Sequence, residues 1–294
     1  MTETRILRPE EVIKILPESI LRLQPLYNQP EFPELIKPGK LRFGQVSHKN
    51  ETIFFPFTGD VFLWKWRIFQ LPYCQQFSPF STSEIQFNAE SSTLWLEWLR
   101  EKSYSCQWAF PQMEINPAIK GIRTKTNQFL DLKKTADEIF SSWKKGRFNS
   151  LSKSSEFETI ELDHAQFKKF LENLNLTNGG RGWKPNTFEK AAILRISNSD
   201  FFGKNLKRFA VIENGMCLSL ILLLEWNGRW HYLFSQSSAR GFETDSLTRF
   251  FYDFLLINAG KGGVFDFEGS SLPGVHSFFQ SLGAEEEHYF LFEK

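Results

Sequence analysis

The sequence predicts an α/β fold of the mixed-sheet (α+β) kind, and the second half of the chain carries most of the evidence. Asn-Gly pairs at 214–215 and 227–228 separate three runs that are rich in apolar and aromatic residues. Asn and Gly tolerate the positive φ angles of two-residue turns, so these runs are expected to form antiparallel strands. Beyond Gly241 the apolar residues recur every three or four positions, which predicts a helix over 242–259, followed by a short strand at 264–267.

This strand, helix, strand succession indicates where function is to be sought. Parallel strands joined by a helix form a right-handed crossover, and the ligands of such units collect at the carboxyl ends of the strands. The segments expected at those ends are 235–241 and 266–270. A last helix is expected to begin near 271–273 and to carry its apolar stripe as far as Leu282.

Composition and charge narrow the class of protein. A length of 294 residues favours two domains over one. The 35 Lys and Arg residues nearly balance the 34 Asp and Glu residues, so no global field attracts nucleic acid or an anionic membrane, although a local basic patch stays open. The three cysteines stand far apart and no histidine has metal-ligand spacing, which predicts a reducing compartment and no metal site. The N-terminus does not resemble a signal peptide and no apolar run reaches about 20 residues, so a cytoplasmic location without a membrane span is expected.

The first half has a fainter pattern of the same kind. Strands are expected at 41–46, 52–57, 61–69, 107–110 and 127–132, with turns at 48–50 and 58–60 and helices at 92–102 and 135–145. The polar, serine-rich stretch 150–156 is the expected junction between two domains. It divides the chain into an N-terminal domain of residues 1–150, which opens with an irregular proline-rich apron, and a C-terminal domain of residues 151–294.

Two loops are candidates for substrate contacts. The aromatic loop at 72–80 contains the adjacent amides Gln75 and Gln76, and it either lines a cleft or plugs the core beneath it. Buried amides need hydrogen-bond partners or a ligand, which leaves both interpretations open. Trp183 lies in a glycine-rich loop, where it either stacks on a substrate or pins the loop to the core.

Several stretches resemble FemAB-like proteins of the GNAT acyltransferase superfamily. Their closing block is similar to Phe265-Asp-Phe-Glu-Gly-Ser and to the run from Gly274 to Ala284, and the strand and turn before their long helix are similar to Trp230–Gly241. In the first half, Leu71–Phe80 resembles the family's aromatic-glutamine loop, and the stretches beginning at Thr126 and at Lys145 resemble a strand and a basic helix end. The resemblance spans about residues 40–290. It implies two tandem GNAT-like domains.

The resemblance also implies an activity. FemAB-like proteins transfer an acyl or aminoacyl group from acyl-CoA or a charged tRNA to an amine, here in a cleft between the two domains and without a metal. The acceptor would be a small-molecule or peptide-like amine, and a charged tRNA has no support from the net charge of +1. The alternative is a catalytically silent relative that binds a ligand or partner without transfer. No pattern in the sequence reports on the oligomeric state.

The expected donor site lies at the end of the strand that precedes the long helix. Arg240, Gly241 and Phe242 occupy the turn where backbone amides of a helix N-terminus would bind phosphates. Ser235 and Gln236 lie where the family takes an oxyanion donor from the backbone of a splayed strand. The turn has one glycine where the family's signature has two, and an acidic run from Glu243 follows it, which favours the silent alternative.

Two acids are the catalytic candidates. Asp266 and Glu268 alternate with phenylalanines, so both lie on one face at the carboxyl end of a parallel strand. They either bind backbone amides and cap the next helix, or one of them is a general base. The favoured hypothesis makes Glu268 the base, while Asp266 holds the loop. His231 is expected to pack between aromatic residues, and the contacts expected for the acceptor are Tyr73, Gln75, Gln76, Trp183 and Ser270.

Overall fold

A computed structural model of the chain describes residues 3–48, 51–82, 88–177, 185–269 and 273–294. The chain forms two compact units: unit 1 comprises residues 1–125 and 288–294, and unit 2 comprises residues 126–287. The junction predicted after residue 150 therefore falls inside unit 2, and the last residues of the chain belong to unit 1. Among the described residues, no helix is long and apolar enough to span a membrane.

Unit 1 is a mixed sheet flanked by helices. Its elements are β1 Glu3–Leu7, α1 Pro9–Ile15, α2 Glu18–Arg22, a 3₁₀ turn Leu26–Asn28, α3 Glu31–Ile36, β2 Leu41–His48, β3 Glu51–Phe62, β4 Lys65–Ile68, β5 Phe80–Ser81, α4 Ala89–Lys102 and β6 Ser103–Pro111. The strands lie in the order β1-β2-β3-β4-β6, with β5 beside β3, and the end of the last strand of the chain pairs with β6. The core is aromatic, with Trp95 packed between Phe55, Trp108 and Phe110.

One predicted turn in unit 1 is absent, because β3 continues through residues 58–60. Gly59 pairs with Ile68 in the ladder, and a Cβ at Gly59 would lie 2.9 Å from the backbone oxygen of Arg67. The glycine thus permits close approach of β4 and does not form a turn. The hairpin turns instead at Leu63 and Trp64.

Unit 2 carries the strands that the Asn-Gly pairs predict. Its elements are β7 Ile122–Asp131, α5 Ala136–Ser141, α6 Lys145–Lys153, β8 Glu158–Glu161, α7 His164–Thr177, α8 Thr187–Ser197, a 3₁₀ turn Gly203–Asn205, β9 Leu206–Glu213, β10 Met216–Trp226, β11 Arg229–Ser237, α9 Ala239–Thr244, α10 Leu247–Asn258, β12 Val264–Asp266, α11 Pro273–Ser281 and β13 Glu285–Glu293. The sheet has the order β7-β12-β11-β10-β9-β8. The pair β11 and β12 is parallel, whereas the other pairs along that path are antiparallel.

Helices cover both faces of this sheet. Phe250, Phe251 and Phe254 of α10 pack on Phe265 and its neighbours, as the apolar stripe predicts. On the other face α7 contacts β9, β10 and β11, and Phe167 meets the ring of Phe234. The central strands are therefore buried on both sides.

Two predicted helices are divided in the structure. The helix expected over 242–259 breaks into α9 and α10 at Asp245, whose φ of 56° is left-handed. The helix expected over 135–145 breaks into α5 and α6. Arg147 of α6 donates to Asp245 at 2.5 Å and to Thr248 at 3.0 Å, so the carboxylate at the helix break has a partly buried cationic partner. These contacts hold α6 against α10 and place the predicted junction inside unit 2.

Candidate active site

The strands β11 and β12 separate at their carboxyl ends. They pair in parallel at only three positions, the last of which is His231 opposite Asp266. Beyond that point β11 stays beside β10, whereas the amide of Phe267 donates to Gln128 of β7 at 3.0 Å. Glu268 (φ 62°) and the glycine after it (φ 82°) then turn the chain away. A wedge therefore opens between the two strands where a parallel unit presents ligands.

A β-bulge lies on β11 at the wedge. The register with β10 pairs Leu222 with Phe234 but Leu223 with Tyr232, so Leu233 is an extra residue. Bulges bend a strand and change the direction of its groups. Within the described residues, the edge of β11 that follows the bulge has no strand partner on the side of β12. This part of the β11 edge therefore faces the wedge and not a neighbouring strand.

A cavity of about 360 Å³ lies on one side of the wedge, entirely within unit 2. It is lined by the end of β11, by α9, by the start of α10 and by α11. Four predicted donor-site residues meet there, namely Ser235, Gln236, Gly241 and Phe242. Tyr232 also lines it; burial raises the pKa of the Tyr232 hydroxyl, against a smaller opposing effect of Ser235, so that hydroxyl keeps its proton at neutral pH.

The turn expected to bind phosphates is satisfied by the protein itself. The amide of Gly241 donates to the Ser238 hydroxyl at 3.0 Å, and the amide of Phe242 donates to the Ser238 carbonyl at 3.0 Å. The glycine also has a packing role, because a Cβ there would overlap the backbone oxygen of Leu218. Arg240 pairs with Glu213 at 2.9 Å. Its hydrogen bond to that carboxylate raises the pKa of Arg240, and the same bond lowers the pKa of Glu213.

Asp266 is buried, with 2% of the residue exposed. Its carboxylate accepts from Asn127 at 2.8 Å, from the amide of Glu268 at 2.8 Å and from Arg229 at 2.5 Å. Burial alone would lower the pKa of Arg229, but the charges of Asp266 and Glu287 outweigh burial and raise it. Asp266 is therefore held by three donors, as expected for an acid that anchors the loop.

Glu268 faces a histidine that sequence reasoning assigned to packing. Its Oε1 lies 2.5 Å from Nδ1 of His231, and the two side chains are only 12% and 6% exposed. His231 lies directly opposite Asp266 in the parallel ladder, so its side chain and the two acids share one face of the sheet. A carboxylate that contacts an imidazole in this way is an arrangement that general acid–base catalysis uses.

The same three side chains have the composition of a metal site. The ligand atoms of His231, Asp266 and Glu268 all lie within 4.8 Å of one another. Arg229, however, already places a cation 2.5 Å from the Asp266 carboxylate. A divalent ion beside that guanidinium would be repelled, so the set fits proton transfer better than metal binding.

Three of the predicted acceptor residues belong to unit 1, whereas the network of His231, Asp266 and Glu268 belongs to unit 2. Tyr73 (φ 60°), Gln75 and Gln76 lie in the aromatic loop of unit 1. Both amide atoms of Gln75 are buried without a hydrogen-bond partner in the described part of the chain, and so is Oε1 of Gln76. Trp183 and Ser270 lie outside the described residues.

Comparison with solved structures shows that the fold is that of tandem GNAT proteins, as predicted. The chain is similar to FemX, with 12% identity, a TM-score of 0.64, and coverage of 98% of this chain and 96% of that one. It is also similar to a tandem GNAT protein from the clavulanic acid biosynthesis pathway (10% identity, TM-score 0.53, coverage 99% and 98%) and to L-PGS from Bacillus licheniformis (13%, 0.50, 97% and 91%). No protein-family model and no curated protein sequence matches the chain.

Proposed function

We propose that this protein is an N-acyltransferase, which moves an acyl or aminoacyl group from an activated donor to an amine acceptor. The observation that supports this most strongly is the wedge between β11 and β12. It has a bulged strand edge and a cavity on one side, and a buried His231–Glu268 pair on the other. Acyl transfer needs these parts together: a donor cavity, an oxyanion site and a proton acceptor.

The proposed chemistry joins the amine nitrogen to the donor carbonyl carbon and breaks the carbon–sulfur bond of a thioester or the carbon–oxygen bond of an ester. Glu268, paired with His231, takes the proton that the amine loses. Backbone amides of β11 beyond the bulge stabilise the oxyanion of the tetrahedral intermediate. The leaving group takes a proton from the hydroxyl of Tyr232, which lines the cavity; Tyr232 then regains a proton from solvent, and Glu268 releases to solvent the one that it took.

The cavity supports a donor that is recognised through its acyl arm. Phe242, Val275 and Phe278 give it apolar walls, while Ser235 and Gln236 give it a polar floor. The groups that would bind a pyrophosphate are occupied by Ser238 and Glu213. Acyl-CoA and charged tRNA both remain donors within this proposal, and the acceptor is a small-molecule or peptide-like amine.

The test has a binding step and a transfer step. Thermal unfolding is measured with acetyl-CoA, longer acyl-CoAs and an aminoacyl-tRNA pool; a donor at 100 times its Kd stabilises the protein by about 2.7 kcal/mol. Donors that bind are then incubated with a panel of amines and peptides, and amide products are detected by mass spectrometry. Transfer by the natural protein that Glu268→Gln abolishes supports the proposal.

A catalytically silent relative is the second candidate. The self-satisfied turn around Gly241, together with the pairing of Arg240 with Glu213, favours it. It predicts that a ligand stabilises the protein, that no donor yields an amide product, and that Glu268→Gln changes neither result. The transfer assay therefore separates the two functions.

A further inference from the structure

The hairpin between β3 and β4 in unit 1 ends in a fully apolar tip. This tip consists of Val61, Phe62, Leu63 and Trp64, which are 61%, 57%, 74% and 97% exposed. Consecutive apolar residues with this exposure are unusual on a protein surface, where apolar side chains are normally scattered. The site described above does not use them, because it lies in unit 2.

The backbone of the tip has positive φ angles, which Asn and Gly adopt more readily than large apolar residues do. Leu63 and Trp64 have φ angles of 46° and 68° in a two-residue turn. The hairpin turns at 214–215 and 227–228 have the same geometry and use Asn-Gly, with φ values of 50° and 76° and of 51° and 76°. Large side chains are disfavoured at such positions. Among these three described turns, two thus have the suitable sequence, and the turn that departs from it is the apolar one.

The base of the hairpin is firmly held. Trp66 packs edge-on against Phe57 with 5.3 Å between the ring centroids, and Arg67 donates to Asp60 at 3.1 Å. Nearer the tip, the ring of Phe62 lies 5.5 Å from that of Tyr104, which is itself 42% exposed. These contacts fix the direction in which the tip projects and add a further aromatic ring beside it.

Two exposed lysines lie close to the tip and to Tyr104 in the sequence. Lys65 ends the turn and Lys102 lies two residues before Tyr104, and both are exposed. Segments 61–69 and 102–110 contain no Asp or Glu. The nearest acids in sequence are Glu101 and Asp60, of which Asp60 is paired with both Lys40 and Arg67.

We propose that this tip docks on an anionic membrane surface, with Trp64 and its apolar neighbours in the interface and the lysines at the headgroups. Aromatic side chains favour the boundary between water and lipid, and lysines near an anionic leaflet are attracted to it. The tip and Tyr104 expose roughly 600 Å², since side chains of this size carry about 150–250 Å² each. This is below the roughly 800 Å² per partner of a stable protein interface, whereas a projecting tip suits shallow insertion.

The decisive variant replaces the turn with the one that the chain uses elsewhere. Leu63→Asn combined with Trp64→Gly keeps the hairpin geometry and relieves the turn, so the variant folds at least as well as the natural protein. Flotation is measured with vesicles of phosphatidylcholine that contain one third phosphatidylglycerol. We expect the natural protein to float with them and the double variant to lose at least about tenfold in partitioning.

Two further variants test whether flotation depends on the tip itself and on its positive charge. Met216→Ser removes an exposed apolar residue beside the Asn-Gly turn of unit 2 and is expected to leave flotation unchanged. Lys65→Ala is expected to weaken flotation severalfold on anionic vesicles, and added salt is expected to weaken flotation of the natural protein.

The proposal is overturned if the natural protein does not float with the anionic vesicles, or if the Asn-Gly variant floats equally well. It is also overturned if ultracentrifugation shows a concentration-dependent dimer that the double variant abolishes while vesicles stay unbound, because the tip would then bind a second copy. None of these outcomes depends on acyl transfer.

Discussion

The strands β11 and β12 are neighbours, but the polar groups at their carboxyl ends have different kinds of hydrogen-bond partner. At the end of β11, in the α9 turn (residues 238–245), Gly241 donates to Ser238, and Arg240 is paired with Glu213. At the end of β12, in the acid loop (residues 266–269), Glu268 meets His231 at a distance suited to sharing a proton.

The difference shows that the place of a segment in the topology does not by itself identify a ligand site, and that the hydrogen bonds of its residues must be considered as well. Both segments lie where parallel units present ligands, so topology alone selects both. The hydrogen bonds then distinguish the two segments. A polar group that already has a partner inside the protein must lose that partner before it can bind a ligand, and the loss costs free energy. The two acids of this loop differ in the same way: Asp266 is held by three donors, whereas Glu268 contacts the imidazole of His231.

The largest expected effect is on turnover. Glu268→Gln keeps the size of the side chain but removes the proton acceptor, so we expect turnover of an identified donor and acceptor to fall by about 10²–10⁴. Donor binding, measured by thermal shift, is expected to change little because Glu268 does not line the cavity in the described part of the chain. Steady-state kinetics test this prediction.

His231→Asn provides the matched control for that substitution. If the two residues act as one unit, the double variant is no slower than the worse single variant, since effects within a unit are not additive. Full activity of Glu268→Gln would remove the acid loop from the mechanism and erase the difference between the two strand ends.

The next effect is on stability. Asp266→Asn removes the buried one of the two carboxylates that pair with the partly buried Arg229, leaving only Glu287, and we expect the free energy of unfolding to fall by about 2–4 kcal/mol. Urea denaturation measures it. Combining the change with Arg229→Met should recover part of the loss, because the partly buried guanidinium is removed and the charge that remains, on Glu287, is more exposed. A variant that keeps its stability but loses turnover would instead give Asp266 a catalytic role.

Much of unit 2 could be predicted from local patterns. The Asn-Gly turns define β9, β10 and β11 because few other residues adopt positive φ at both positions. The alternation around Phe265 and Phe267 places Asp266 and Glu268 on one face, which is where they lie. The turn of the β3–β4 hairpin in unit 1 could not be predicted in this way, because its residues, Leu63 and Trp64, are disfavoured in such turns.

The partners in the site could not be predicted in the same way. His231 meets Glu268 only because β11 and β12 pair in one particular register, and a parallel register is set by packing across the whole unit. Arg229 reaches Asp266 for the same reason. The break at Asp245 depends on Arg147, which lies 98 residues earlier in the chain. Such contacts are tertiary and leave no periodic signal in the sequence.

A smaller stability effect tests the α9 turn. Gly241→Ala places a Cβ against the backbone of Leu218, and backbone atoms cannot move aside as a side chain can. We expect a loss of about 1–3 kcal/mol, measured by thermal or urea unfolding. Gly146→Ala is a suitable control, because nothing lies within 4 Å of a Cβ at Gly146. Equal stability of both variants would mean that the turn is looser than its contacts indicate.

The smallest expected effect is on CoA affinity, and it follows from removing the internal partner of Arg240 at the end of β11. Glu213→Gln removes the charge that holds Arg240, which directly precedes the cavity-lining Gly241 and Phe242 in the chain. We expect CoA to bind about two to three times more tightly at low salt, since an exposed charge contributes only some tenths of a kcal/mol. Titration calorimetry at two salt concentrations measures the change, which added salt should abolish.

The control for this prediction is Glu161→Gln, which breaks the pair of Glu161 with Lys207 away from the cavity and should leave CoA binding unchanged. Lowering the pH is a poor substitute. The pKa of Glu213 is lowered by its bond to Arg240, so the stabilisation from the pair is present above the ordinary glutamate pKa and is lost only as the pH falls through the lower folded value. The pair thus persists at neutral and mildly acidic pH. If Glu213→Gln leaves CoA affinity unchanged at low salt, Arg240 does not face a phosphate, and recognition of the donor rests on the cavity alone.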